Sequence, residues 1–281
     1  MADISAQDVA ALRKLTGAGM MDCKKALAES DGDLEAAKIW LRERNLAGAG
    51  KRAGREAQEG AIDTYVDGTV GAVVELVCET DFVAKGDIFR TTVAELAKLV
   101  AVQGDEGIDV KSFAGTTVAD SIVQLSGTLG EKIELGRVTR YESPDGLLDG
   151  YKHIQQERGT IGVLVELGGV DPANARVQQV AHDIALHIAS AAPRYVSRAD
   201  IPADVVARER EVLENLTRNE GKPEAAIEKI VDGRLGGFYK DVSLLEQGFV
   251  KDPKVTIGSL LTDLGPDATI RRFTRTKIGE D

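Results

Sequence analysis

The chain has 281 residues, 43% apolar but only 4% aromatic, so its core must be built from Val, Leu, Ile and Ala. Charged residues make up 29%, and a net charge of −11 repels phosphate backbones, which weighs against direct nucleic-acid binding. No apolar run approaches the roughly 20 residues of a membrane span. The start enters a polar amphipathic pattern rather than a signal peptide, and Cys23 and Cys78 make neither a disulfide framework nor a metal-ligand spacing. A soluble protein of a reducing cytoplasm is expected, with no membrane association.

Residues 1–50 predict three short helices. Ser5 with Asp8 three residues later is a helix-start signal, followed by Val9, Leu12 and Leu15 on one face. Gly17-Ala18-Gly19 breaks that helix. A second is expected from Met21 to Glu29, and Asp33 caps a third carrying Leu34, Ala37, Trp40 and Leu41. The stretch 47–60, rich in Gly, Ala and charge, reads as a linker or a partly helical connector, with 51–60 as its core. Its Gly48-Gly50-Gly54 spacing weakly resembles a phosphate-binding turn but follows a helix rather than a strand.

Two related halves follow. Gly68–Leu76 reads GTVGAVVEL and Gly159–Leu167 reads GTIGVLVEL. In the first half, Ala61–Val66 and Thr69–Val77 predict a hairpin around Asp67-Gly68. A helix with Val93, Leu96, Leu99 and Val100, a helix over Ser121–Gly130 and a strand over Glu134–Tyr141 come next. The second half predicts strands at Gly150–Ile154 and Thr160–Leu167 and a helix over 175–191. It closes with a helix near Ile257–Leu264 and a strand near Thr269–Thr276.

The far ends match as well: Arg137-Val138-Thr139-Arg140 parallels Arg272-Phe273-Thr274-Arg275. The first matches stand 91 residues apart and the second 135, so the second half carries an extra 44 residues. The insert is expected over 199–238 as an antiparallel helical hairpin around Gly221-Lys222-Pro223. Val205, Val212 and Leu216 form one stripe and Ile227, Ile230, Val231 and Leu235 the other. It either packs on a core of its own or protrudes as an arm for contacts between molecules. The fold class is α+β. It comprises the helical segment, subdomains at 61–143 and at 144–198 with 239–281, antiparallel sheets with helices, and the inserted hairpin.

Catalytic chemistry is hard to find. His182 and His187 are five apart on a helix, so they do not share a face as a metal pair would, and both are expected at the helix surface or core edge. There is no nucleophile elbow, P-loop or Cys/His cluster, and no metal or cofactor is expected.

The two copies differ after the shared strand. The second runs into Gly168-Gly169-Val170-Asp171-Pro172, an ordinary turn. The first runs into Thr80-Asp81-Phe82-Val83. From the residues alone, Phe82 is expected in the core with Asp81 capping a helix. In the alternative both point outward, Phe82 as a wedge for a partner and Asp81 as a negative charge for a site that holds cations or phosphates. Met20 and Met21 pose the same choice: one packed and one covering the small core, or both free for adaptable apolar recognition.

The run Thr16-Gly17-Ala18-Gly19-Met20-Met21-Asp22-Cys23-Lys24-Lys25-Ala26-Leu27, with Leu12-Arg13 before it, resembles the N-terminal signature of the elongation factor Ts family. Thr80-Asp81-Phe82-Val83-Ala84 resembles that family's second signature. The resemblance spans Met1 to about Ile278.

It implies a ubiquitin-associated-like helical domain, a core of two related subdomains and a coiled-coil hairpin. It also implies a guanine-nucleotide exchange factor for elongation factor Tu, not an enzyme of covalent chemistry. By motif, displacement of the GTPase's magnesium ion falls on Thr80, Asp81, Phe82 and Val83. Contacts with its nucleotide-binding domain fall on Arg13, Met20 and Met21, and secondary contacts on Leu129, Gly130 and His153. Longer members carry a further C-terminal helix, and the contacts made by that helix are not assigned to residues of this sequence. A homodimer and a heterotetramer both stay open. An enzyme with an unrecognised site, or an assembly module built on the hairpin, would be the competing classes.

Overall fold

The computed structural model describes residues 4–280; the first three residues and Asp281, included in the expected domain bounds, lie outside them. Three helices come first: α1 (Ala6–Thr16), α2 (Met20–Glu29) and α3 (Leu34–Arg52). Ser5 and Asp8 form a reciprocal cap, the Asp8 amide donating to Ser5 Oγ at 3.1 Å and the Ser5 amide to Asp8 at 3.2 Å. Gly17 ends α1 with φ +68°, its N–H donating to the Arg13 carbonyl at 2.8 Å. Asp33 caps α3 through the amides of Glu35 and Ala36. The small core holds Leu12, Cys23, Ala26, Leu27, Ala37 and Leu41. Helix α3 continues into the Gly/Ala-rich connector as far as Arg52, so irregular backbone is confined to 53–58.

The first half contains β1 (Glu59–Asp67), β2 (Val70–Cys78), α4 (Asp81–Ala84) and α5 (Asp87–Gln103). A two-residue ribbon of β3 (Ser112–Phe113) and β4 (Thr116–Thr117) leads to α6 (Val118–Leu129) and β5 (Ile133–Glu142). The second half has β6 (Leu147–Gln155), β7 (Arg158–Gly168) and α7 (Ala175–Ala191). After the insert, whose helices are α8 (Ala203–Asn219) and α9 (Glu224–Val242), come β8 (Gly248–Phe249), β9 (Asp252–Thr256), α10 (Ile257–Thr262) and β10 (Thr269–Lys277).

Each half makes a three-stranded antiparallel sheet with the duplicated strand at its centre, in the orders β1-β2-β5 and β10-β7-β6. Side chains alternate between the two faces of a strand. Ala72, Val74 and Leu76 of β2 face a core shared with α5 and α6, and Val163, Val165 and Leu167 of β7 face the core of α7. The opposite faces meet each other in a seam of Ile62, Val73 and Leu164. Burial on both faces explains why each central strand reads as a nearly unbroken apolar run.

The polar matches serve the same architecture twice. Arg137 pairs with Glu75 at 3.0 Å, and Arg272 with Glu166 at 2.6 Å. Arg140 donates to the Ala101 carbonyl near the end of α5, and Arg275 to the Ala189 carbonyl near the end of α7. Cations at helix C-termini satisfy carbonyls that lack an intrahelical donor.

The insert forms α8 (Ala203–Asn219) and α9 (Glu224–Val242), turned by Gly221 at φ +73°. Its internal contact differs from the expected stripe. Leu213 packs with Ile227, Val231 and Leu235, whereas Val212 and Leu216 are exposed. The face of α8 that meets α9 is rotated by one residue, about 100°. Arg210–Asp232 and Arg234–Glu220 ion pairs, with Arg234 also donating to buried Thr217, set that register.

Candidate functional site

Beyond Cys78 the chain makes one helical turn, α4, and then a second, longer helix, α5. Thr80 is its cap: Thr80 Oγ1 accepts from the Val83 amide at 3.3 Å. The expected cap, Asp81, is instead the first helical residue, and its carboxylate takes the Lys85 ammonium at 2.6 Å. The Lys85 hydrogen bond, then its charge, holds the Asp81 carboxyl below the usual carboxylate range. Asp81 is therefore anionic at neutral pH. The pair is partly open to water, so it is screened and weak.

Phe82 does not enter the core. It is 84% exposed. In a helix successive side chains turn by about 100°. Ala84 is fully buried and Val83 packs against the first-half core, so the inward directions are taken and Phe82 is left pointing away.

The strand end that launches the turn is buried. Cys78 is buried, and burial, followed by the nearby Glu131 charge, pushes its thiol up to about 12. A thiol held neutral in this way is not a nucleophile.

Thr80, Asp81, Phe82 and Val83 are thus brought together, and the C-terminal end of α6 lies beside them. Leu129 is half-buried against the first-half core, and Gly130 is exposed and ends α6 with φ +77°. Glu131, one residue on, accepts from the amides of Glu79 (3.1 Å) and Thr80 (3.0 Å) and from Thr80 Oγ1 (2.5 Å).

Arg13, Met20 and Met21 form a second patch. They line an apolar groove of about 750 Å³ between α1 and α2, with Val9 at its floor and Lys14 and Lys24 at its rim. Met20 and Met21 are 60% and 74% exposed, so neither packs into the three-helix core, which Leu12, Leu27, Leu41 and the small residues between them already fill. His153 is elsewhere, exposed on β6, with Nδ1 3.2 Å from the Tyr151 hydroxyl.

The other histidines divide. His182 sits at the surface beside Asp149. His187, expected at a surface or core edge, is 1% exposed. The Val250 amide donates to its Nδ1 at 3.2 Å, so Nε2 carries the proton and donates to Gln247 at 3.0 Å. That bonding ties the β8–β9 ribbon to α7 and leaves no free nitrogen for catalysis.

Sequence reasoning missed Glu79, Glu131 and Lys85. Glu79 and Glu131 flank residues that were singled out, but no local pattern announces a pairing across some fifty positions. Among the described residues no group of three His, Cys, Asp or Glu side chains could hold a metal ion, and no helix is long and apolar enough to cross a membrane.

Comparison with known proteins follows the same outline. Residues 79–280 match the family described as Elongation factor TS. The chain is 48% identical over 285 residues to Elongation factor Ts of Thermobifida fusca, covering all of both chains. It is 42% identical over 284 residues to Elongation factor Ts of Micrococcus luteus, covering 99% of this chain and all of that one. It is 43% identical over 292 residues to Elongation factor Ts of Rhodospirillum rubrum, covering all of this chain and 94% of that one. With the family matched over residues 79–280 and its whole length matched by relatives, the chain belongs to the elongation factor Ts family of translation elongation factors.

Proposed function

We propose that the chain is a guanine-nucleotide exchange factor that binds elongation factor Tu in its GDP form, displaces the magnesium ion and promotes GDP release so that GTP can bind. The observation that carries this reading is Phe82, 84% exposed on a capped turn at the end of a buried strand. A large aromatic is rarely left so free unless a partner covers it. Asp81 beside it brings a carboxylate to a site that holds a cation.

Magnesium bridges phosphate charge in a GDP-bound GTPase, so its loss weakens nucleotide binding. Exchange factor and nucleotide must weaken each other by the same factor. A shift of 10⁴-fold needs about 5.5 kcal/mol of differential affinity. Burying one Phe supplies only about 1.5–3 kcal/mol. Phe82 therefore needs binding energy from elsewhere to hold it in place. The Met20–Met21 groove and the second half, through His153, are the surfaces assigned to that grip, with Leu129 and Gly130 beside the wedge.

Fluorescent GDP bound to purified elongation factor Tu tests the reading directly. Adding the protein accelerates GDP release in proportion to its concentration until saturation. Unchanged release at saturating protein rejects it.

A further inference from the structure

We infer that Glu131 and Glu79 are positioning residues for Phe82, forming a reciprocal clamp between the end of α6 and the root of the Thr80–Val83 turn. The inference rests on the exchange reading and adds to it the residues through which the wedge is held.

A four-residue helix cannot hold itself: isolated helices shorter than about 12 residues are marginal in water. Something outside α4 must fix it. Glu131 accepts three hydrogen bonds there, from the Glu79 amide, the Thr80 amide and Thr80 Oγ1. Hydrogen bonds to a carboxylate are the stronger class. The bond from Thr80 Oγ1 has a further consequence. Its single proton is given to Glu131, which turns its lone pairs toward the Val83 amide and so makes Thr80 the cap of α4. Glu131 thereby orients the turn that carries Phe82.

The contact is returned. Glu79 Oε1 accepts from the Lys132 amide at 2.6 Å, and Arg55 of the connector reaches both Glu79 oxygens at 3.1 and 3.3 Å. Glu131 is itself held by α6: Ser126 Oγ donates to the Glu131 carbonyl at 2.5 Å. Helix α6 in turn carries the helical segment. Arg42 pairs with Asp120 at 2.6 Å, and Arg52 Nε donates to Ser126 Oγ at 3.2 Å. The clamp therefore lies on a continuous path from the three-helix unit, with its methionine groove, to Phe82.

The clamp is separable from the core. Thr80 is exposed and Glu79 and Glu131 are half-buried, so water can take over the amides when the carboxylate is removed. Removal frees the turn without opening a cavity.

The test uses fluorescent-GDP release from elongation factor Tu across a concentration series of wild type, Phe82→Ala, Glu131→Ala and Glu131→Gln. Glu131→Ala is expected to lower the saturating release rate by about ten- to a hundredfold, the scale of a misplaced functional group, while the half-saturating concentration changes less than about threefold. Glu131→Gln keeps a carbonyl oxygen for the two amides and reverses only the Thr80 Oγ1 bond, its NH₂ donating to one Oγ1 lone pair while the other stays open to the Val83 amide, and is expected to recover most of the rate. A wild-type saturating rate for Glu131→Ala overturns the inference, as does a rise in half-saturating concentration alone. Equal loss in the Ala and Gln variants together with a lowered melting temperature also overturns it, since the role is then structural. Failure of the wild type to release GDP is a different result: it rejects the exchange reading itself and the positioning role with it.

Discussion

Ile62 lies where a side chain on Gly162 would have to be: a methyl placed on Gly162 would stand 2.5 Å from Ile62 Cγ2 and 2.8 Å from Val73 Cγ1. Gly71 holds the equivalent place in the first copy, and a methyl there would stand 3.1 Å from Leu164 Cδ2 and 3.2 Å from Val66 Cγ2. Gly71 and Gly162, at matching places in the two copies, thus both lie where the two sheets pack closely against each other.

Gly162→Ala is expected to destabilise by about 1–3 kcal/mol, the usual range for overpacking. Gly71→Ala is expected to cost less, because Leu164 and Val66 need give only a few tenths of an ångström. Urea unfolding of both variants checks the order.

Phe82→Ala is expected to lower the saturating GDP-release rate by about ten- to a hundredfold, corresponding to loss of the roughly 1.5–3 kcal/mol of one buried aromatic. Binding to nucleotide-free elongation factor Tu should weaken much less. Met20→Ala should do the reverse, weakening binding while sparing the saturating rate. Stopped-flow release and a binding titration separate the two, and equal loss of both by Phe82→Ala would reject the wedge.

Gln156 and Glu157 turn the β6–β7 hairpin with φ +51° and +70°, a left-handed conformation that costs non-glycine residues roughly 1–2 kcal/mol. Replacing the pair with Asn-Gly is expected to stabilise by about 0.5–1 kcal/mol after the entropy of glycine is counted. The contact from Arg90 survives, since it reaches the Glu157 carbonyl rather than its side chain. A melting temperature raised by a few degrees is the outcome expected in calorimetry.

His187 makes stability depend on pH. Burial lowers its proton affinity below that of an ordinary histidine, only partly offset by the Gln247 bond. The unfolded chain therefore binds the proton first, near pH 6.5. Stability is full above that value and falls as pH drops from about 6.5 toward the lower folded value. Protonation at Nδ1 also sets two N–H groups against each other, since the Val250 amide already points there. His187→Gln is expected to be less stable at pH 8 and flatter between pH 5 and 7 in thermal melts.

Much of the fold could be read from particular residues. Helix α7 was expected over 175–191 and runs Ala175–Ala191, because its apolar period is strong and Asn174 caps it. The duplicated strands were legible because both faces are buried, and the far-end arginines because they meet the repeated glutamates. The Gln156-Glu157 turn was not legible: neither residue is a turn former, and the conformation is imposed by the strands on either side. The hairpin face was misjudged by one residue, since Val212 and Leu213 are both apolar and only the partner helix chooses between them.

The amino-acid order alone determined the duplication, the extra 44 residues and the place where the copies diverge, because those are properties of pattern and period. It also placed both family signatures. Only the tertiary structure decided which way Phe82 points. Local statistics send a phenylalanine inward, but Val83 and Ala84 occupy the inward side of α4, and Glu131, fifty-one residues from Thr80, holds the turn that keeps Phe82 out. A hydrogen bond across that span leaves no trace in local sequence, since only the folded chain brings its partners within reach.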